Sequence, residues 1–191
     1  IPSGPPFYMN LSECYYSNPI LSDKGTIHSY IKNYYCEKFT PMKELPVVIL
    51  EIGIFQGGST KLWKKWFKNS TVYGIDNNEK YMKFYKEMND GIGILGNAYS
   101  ERMLNKFSNQ FFDIIIEDGA HTLETQMYTA KRWTTKLKNN GILIIEDIQD
   151  INHIDNIIQA VPKNENFSTK VFDLRSKINR YDDIIIEITK N

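Results

Sequence analysis

An open α/β fold is predicted for this 191-residue chain: a doubly wound, mostly parallel seven-stranded sheet whose last strand runs antiparallel. Three observations predict it. Short runs rich in β-branched residues alternate with helix-period segments, five times in succession. Several of those runs are apolar throughout, as strands buried on both faces are, and open into polar loops at their carboxyl ends. The last two runs are separated only by 175–182, enough for a hairpin but not for a right-handed crossover.

In chain order, 1–7 (I-P-S-G-P-P-F) reads as an interdomain linker and 10–20 as irregular, so 1–20 is expected to be an N-terminal extension and 21–191 the domain. A first residue other than Met suggests one part of a longer, multidomain protein. Ser22–Thr26 starts a helix that carries Ile27, Tyr30, Ile31, Tyr34 and Tyr35 and ends before Pro41. Strands follow at 47–53, 71–76 and 91–97, with helices at 60–68, 78–88 and 101–107. The fourth strand lies in Phe112–His121 (F-D-I-I-I-E-D-G-A-H), and a helix over 122–137 carries Trp133. Asn139–Gly141 supplies a turn into the fifth strand, 141–148, and a helix over 154–160 leads to the last strands at 169–174 and 183–188.

Apolar residues make up 41% of the chain and charged residues 24%, ordinary for a soluble globular protein. Its 23 basic and 23 acidic side chains balance, which points to neither nucleic acid nor membrane as a partner. No run approaches transmembrane length. Two cysteines, Cys14 and Cys36, without a CxxC pattern, fit a reducing, cytoplasmic setting.

Three constellations can carry chemistry. Glu51-x-Gly53-x-x-x-Gly57-Gly58 marks the first strand–helix turn, where glycines let the backbone approach a ligand. Its spacing is not the GxGxxG that cradles a pyrophosphate. With Asp76 at the second strand end, placed to accept from ribose hydroxyls, it suits a nucleoside-type cofactor lacking a pyrophosphate. Asp118 ends the fourth strand, and Glu146 and Asp147 end the fifth; on adjacent strands they gather three acids at one rim. Crowded carboxylates repel unless they share a cation, and oxygen donors select a hard ion such as Mg²⁺. One such ending is most simply a helix cap; two on neighbouring strands point to a metal. His121 follows two small residues and suits proton abstraction near neutrality. His28 is a weaker candidate and His153 reads as a loop residue. Asp182-Asp183 precedes its strand, and a turn or a partner for Arg175 or Arg180 is its simplest role.

At these residues the chain resembles the class I S-adenosylmethionine-dependent methyltransferases. Within them it is similar to the metal-dependent sugar O-methyltransferases of macrolide biosynthesis, the mycinamicin and macrocin type. The matching stretches are S-D-K-G-T-I-H-S-Y (22–30), L-E-I-G-I-F-Q-G-G-S (50–59), V-Y-G-I-D (72–76), F-D-I-I-I-E-D-G-A-H (112–121), G-I-L-I-I-E-D (141–147) and R-Y-D-D-I-I-I (180–186). The resemblance implies a Rossmann-like methyltransferase fold, S-adenosylmethionine and Mg²⁺ as cofactors, and a sugar or glycan acceptor, a deoxyhexose such as rhamnose. It also implies roles. Glu51, Gly53, Gly57 and Gly58 would line the methionine end of the cofactor, Asp76 would hold the ribose, and Asn97-Ala98 would flank the adenine. Asp118, Glu146 and Asp147 would bind Mg²⁺, and His121, with Asp118 beside it, would act on the acceptor proton. The chain departs from the family at Asn97, often an acid, and at Glu117, often an aspartate. Family members also carry extra segments that shape the sugar pocket and build oligomers. The opening linker resembles that of viral glycosyltransferases whose C-terminal domain methylates a deoxyhexose.

Three rival readings remain at this level. A catechol-type O-methyltransferase uses the same strand ends, but usually has a lysine three positions after the metal-binding aspartate, where this chain has His121. A non-catalytic interaction domain would keep the fold without binding the cofactor. A nicotinamide-dependent oxidoreductase is disfavoured by the missing GxGxxG.

Overall fold

The strands of the computed structural model, which describes residues 8–17, 21–88 and 91–191, are β1 (Val48–Ile52), β2 (Thr71–Asp76), β3 (Ile92–Leu95), β4 (Phe112–Glu117), β5 (Leu137–Ile145), β6 (Phe167–Asp173) and β7 (Ile184–Lys190). They form one seven-stranded sheet in the order β3-β2-β1-β4-β5-β7-β6. β1 to β5 pair in parallel, and β7 runs antiparallel to both β5 and β6, as the short connection requires. The expected seven-stranded doubly wound sheet is therefore what the chain forms.

Period-two geometry divides the apolar runs between two cores. Ile114 and Ile116 of β4 and Ile142 and Ile144 of β5 face one core with Trp63, Trp66 and Phe39. Ile115, Leu143 and Ile145 face the other with Trp133 and Phe107. Each such side chain, withdrawn wholly from water, stabilises by about 1.5–3 kcal/mol, so the two central strands anchor both layers.

The first core is covered by α1 (Leu11–Tyr16), a π-helical turn (Ile31–Tyr35) that runs into α3 (Cys36–Phe39), and α4 (Gly58–Trp66), while the short α2 (Asp23–Thr26) turns Lys24 inward. The second is covered by α6 (Glu101–Leu104), α7 (Leu123–Arg132) and α8 (His153–Ala160). α5 (Glu79–Met88) packs on β2 and β3, and α9 (Arg175–Ile178) lies between β6 and β7.

Four local expectations are corrected. Residues 11–16 are a helix, not irregular chain: Asn10 and Glu13 form a reciprocal capping box, and Leu11, Cys14 and Tyr15 are buried in the first core. The expected linker at 1–7 lies outside the described residues. α7 stops at Arg132 and a 3₁₀ turn, Trp133–Lys136, completes the layer. The Asn139–Gly141 turn lies inside β5, where the register jumps from Phe112–Leu137 to Ile114–Ile142 and Asn140 takes a φ of 64°. His153 begins α8 rather than sitting in a loop. Among the described residues no helix is long and apolar enough to cross a membrane, and Cys14 and Cys36 form no disulfide.

Leu11→Ala is expected to cost about 2–5 kcal/mol in urea unfolding, because the side chain is wholly buried. An unchanged midpoint would show that α1 is an appendage and not part of the core.

Candidate active site

Five parallel strands deliver their carboxyl ends to one rim. After β1 the chain turns at Gly53, with φ 81°, where a Cβ would collide with the carbonyl oxygen of Asp118. Gly57 takes φ 76° at the head of α4, and Gly58 packs against the carbonyl oxygen of Leu21. A cavity of about 690 Å³ opens beside these turns. Gly53, Gly58 and Asp76 line one part of it, Asn97 and Ala98 another, and Asp118 and His121 a third. Asp76 accepts the Ile54 N–H at 3.1 Å and the Asn78 N–H at 2.9 Å, one on each oxygen. A further lone pair remains on each for a ligand hydroxyl.

Glu51 and Gly57 do not line the cavity. Glu51 is fully buried beneath it and accepts from the Ser59 hydroxyl at 2.7 Å and the Trp63 indole at 2.9 Å. Its third partner is Lys24, whose Nζ lies 3.1 Å away.

Lys24 is the residue that sequence reasoning passed over. Its ammonium, buried at 1% exposure, also lies 2.6 Å from Asp118 and 2.7 Å from Glu146. One cation thus holds carboxylates from β1, from the end of β4 and from the end of β5. Burial opposes its charge, but Asp118, Glu146 and Glu51 hold the ammonium well above the usual lysine range, so it stays protonated. Positive charge is still short. Burial pushes Glu146 up to about 8 despite Lys24, with the charge of Asp147 adding to the rise, and Asp118 is raised for the same reasons.

In this structure both oxygens of Glu146 are engaged. Lys24 takes one of its oxygens and the Tyr35 hydroxyl donates to the other. The three groups that converge are Asp118, His121 and Asp147, whose candidate ligand atoms lie within 4.8 Å of one another. His121 Nε2 stands 3.5 Å from Asp147 and 4.0 Å from Asp118. Both His121 (φ 56°) and Asp147 (φ 55°) hold the left-handed backbone that β-carbon residues avoid, which aims their side chains at the cluster. Gln126 secures that geometry by donating to the carbonyls of Glu146 and Asp147.

The stretch after Lys24 closes the far side. Tyr30 donates to Asp147 at 2.7 Å, and its hydroxyl is raised by burial and by that carboxylate. His28 bridges Asp147 (Nε2, 3.3 Å) and Asp183 (Nδ1, 3.0 Å), and the Ser29 hydroxyl also donates to Asp183. His28 therefore belongs to the site as a support, and Asp183 is its buried anchor. Asp182 pairs with Arg180, as its position suggested. The S-D-K-G-T-I-H-S-Y stretch carried a signal for all of these, but only as a resemblance.

With this geometry in place, a family described as a methyltransferase domain matches residues 50–148. The chain belongs to the methyltransferase-domain family. The 8-demethyl-8-alpha-L-rhamnosyl tetracenomycin-C 2'-O-methyltransferase of Streptomyces olivaceus is 28% identical over 135 residues, 67% of this chain and 35% of that protein. The demethylmacrocin O-methyltransferase of Streptomyces fradiae is 26% identical over 133 residues, 65% of this chain and 33% of its own. The chain thus spans about a third of the length of these relatives. Among solved structures, the MycE methyltransferase of the mycinamycin biosynthetic pathway, in complex with Mg and SAH, superposes with a TM-score of 0.67 at 20% identity, covering 99% of this chain and 56% of that one. At that identity the likeness establishes the methyltransferase fold.

Two outcomes follow from the charges. Lys24→Met is expected to cost about 3–5 kcal/mol near pH 8, as breaking a buried ion cluster does. The loss should shrink toward pH 5, where the stranded acids can protonate, and thermal melts across pH read it. Glu117 behaves oppositely to a paired acid: burial raises it to about 7 although Tyr99, Thr129 and the Gly119 N–H donate to it. The unfolded carboxyl titrates near 4.5, so the native state holds the extra proton in between and stability falls as pH rises through that window. Glu117→Gln should flatten this slope, worth roughly 3 kcal/mol, in urea titrations at pH 5 and pH 8.

Proposed function

We propose that this domain is an S-adenosylmethionine-dependent, Mg²⁺-dependent O-methyltransferase acting on a sugar hydroxyl, with a deoxyhexose such as rhamnose as acceptor. The observation that carries the reading is the convergence of Asp118, His121 and Asp147, the first two lining a cavity that Asp76 and Asn97 also line. The named acceptors of the relatives, rhamnosyl tetracenomycin and demethylmacrocin, support the sugar.

The residues fit both groups. A cavity of about 690 Å³ has the size of a small-molecule site. Asp118 and Asp147 offer the oxygen donors that a hard cation takes, with His121 beside them, and the crowding of Asp118, Glu146 and Asp147 is what a bound cation relieves. When bound, S-adenosylmethionine supplies an electrophilic methyl group and Mg²⁺ a Lewis acid that acidifies an alcohol.

The chain's own groups do the rest. Asp76 receives the ribose hydroxyls, Asn97 and Ala98 flank the adenine, and Gly53 and Gly58 leave room for the methionine end, with Gly57 heading the helix and Glu51 bracing Lys24 beneath. Asp118 and Asp147 would hold the metal, and Glu146 fixes Lys24 against Asp118. His121 Nε2 takes the hydroxyl proton, and its position between the two aspartates stabilises the imidazolium that forms. The supporting shell of His28, Tyr30 and Gln126 keeps the donors aimed, which reduces the reorganisation left for the reaction itself.

Mass spectrometry of rhamnosides incubated with S-adenosylmethionine and Mg²⁺ should show added methyl groups, and EDTA should abolish them. His121→Ala should lower turnover by about 10²–10⁴-fold while Mg²⁺ affinity, read by calorimetry, is kept. Loss of Mg²⁺ binding in that variant would make His121 a ligand and not the base. Preferred turnover of catechols over rhamnosides would replace the sugar.

A further inference from the structure

A second cleft, of about 680 Å³, lies between the 25–33 stretch and the turn that carries Lys177–Arg180. Nothing in the methyl-transfer reading uses it. Its charged lining is Lys32, Lys177 and Arg180, with His28 between them and no acidic side chain. Lys32 and Lys177 make no ion pair among the described residues and are exposed. Arg180 is held in place by Asp182, 2.7 Å from its Nε. The carboxamides of Asn33 and Asn179 add neutral donors.

The cleft is also continuous with the site. Thr26 and Ile27 line both cavities. His28 lines the cleft while its Nε2 lies 3.3 Å from Asp147, so one imidazole ring separates the cationic walls from the carboxylate cluster. Polarity therefore reverses over a short span, from acids that suit neutral hydroxyls and a metal to cations that suit an anion. Stripping such cations of an anionic ligand gains nothing for folding, since exposed like charges at one cleft repel.

We infer that this cleft is an acceptor subsite for an oxyanion, a phosphate or a carboxylate, carried by the molecule whose sugar hydroxyl reaches Asp118, His121 and Asp147. The inference rests on the proposed sugar acceptor for the word acceptor only; the anion site stands on the cleft itself. Lys32 and Lys177 give charge-assisted hydrogen bonds to such a group, with Arg180, its charge already offset by Asp182, adding its remaining N–H donors, and exposure makes the attraction salt-sensitive.

Calorimetric titration at low salt, without S-adenosylmethionine or Mg²⁺, tests it with four probes: a neutral hexose, hexose 1-phosphate, hexuronate and inorganic phosphate. One of the two charged sugars is expected to bind at least about tenfold more tightly than the neutral one. Whichever gains more identifies phosphate or carboxylate as the recognised group. Lys32→Ala/Lys177→Ala should remove the gain at an unchanged melting temperature, and Lys32→Arg/Lys177→Arg should keep it. Equal binding of charged and neutral sugars, or undiminished binding in the double alanine variant, overturns the proposal. Inorganic phosphate binding as tightly as hexose 1-phosphate reduces the cleft to an adventitious ion only, and overturns the acceptor role. Because no methyl donor is present, failure here leaves the methyltransferase reading untouched, and failed methylation leaves this result readable.

Discussion

A single buried ammonium governs the architecture of the rim. Lys24 reaches Glu51, Asp118 and Glu146, which arrive from three adjacent strands, and only Asp118 keeps some contact with solvent. Buried ions are poor sources of net stability, because desolvation consumes most of the attraction. What they supply is position. Each carboxylate has one place to be, and Asp118 is thereby fixed with its second oxygen toward Asp147 and His121. The neighbouring backbone is bent to match, with His121 and Asp147 both in the left-handed region.

Around that ammonium the segment from Ser22 to Tyr35 acts as a strap across the ends of the strands. Ser22 caps the short helix, and the Tyr15 hydroxyl donates to its carbonyl at 2.8 Å, so α1 steers the strap from outside. Further along, His28 and Ser29 fasten to β7 through Asp183, Tyr30 fastens to Asp147, and Tyr34 and Tyr35 to Glu187 and Glu146. The π-helical turn lets the adjacent Tyr34 and Tyr35 serve acids on different strands; such widened turns recur at functional sites. Acid ends of strands and phenols of the strap thus engage one another, while Asp118 and His121, beside Asp147, line the cavity.

Most of the sheet was legible because parallel strands buried on both faces must be apolar throughout, and F-D-I-I-I-E and G-I-L-I-I-E can be little else. The antiparallel β7 followed from connection length alone. Helix α1 was missed although N-x-x-E at 10–13 is a capping box and Leu11, Cys14 and Tyr15 share a face; the surrounding polar residues masked a short element. Asp118, Asp147 and His121 were readable as chemistry-bearing residues at strand ends. The ion pair of Glu146 with Lys24 could not be foreseen. A lysine in a polar loop ordinarily stays in water, and only the fold reveals that Lys24 is drawn beneath three acids.

The strap has a consequence for the order in which the molecule takes shape. Its partners are remote in the chain: Lys24 lies 94 residues from Asp118 and 122 from Glu146, Tyr30 117 from Asp147, and His28 155 from Asp183. Closing such loops is slow compared with forming the local strand–helix units. During synthesis β1 to β4 can assemble while the strap waits without its anchors. His28 and Ser29 can dock only once Asp183 has been synthesised, so the first strands alone cannot complete the rim.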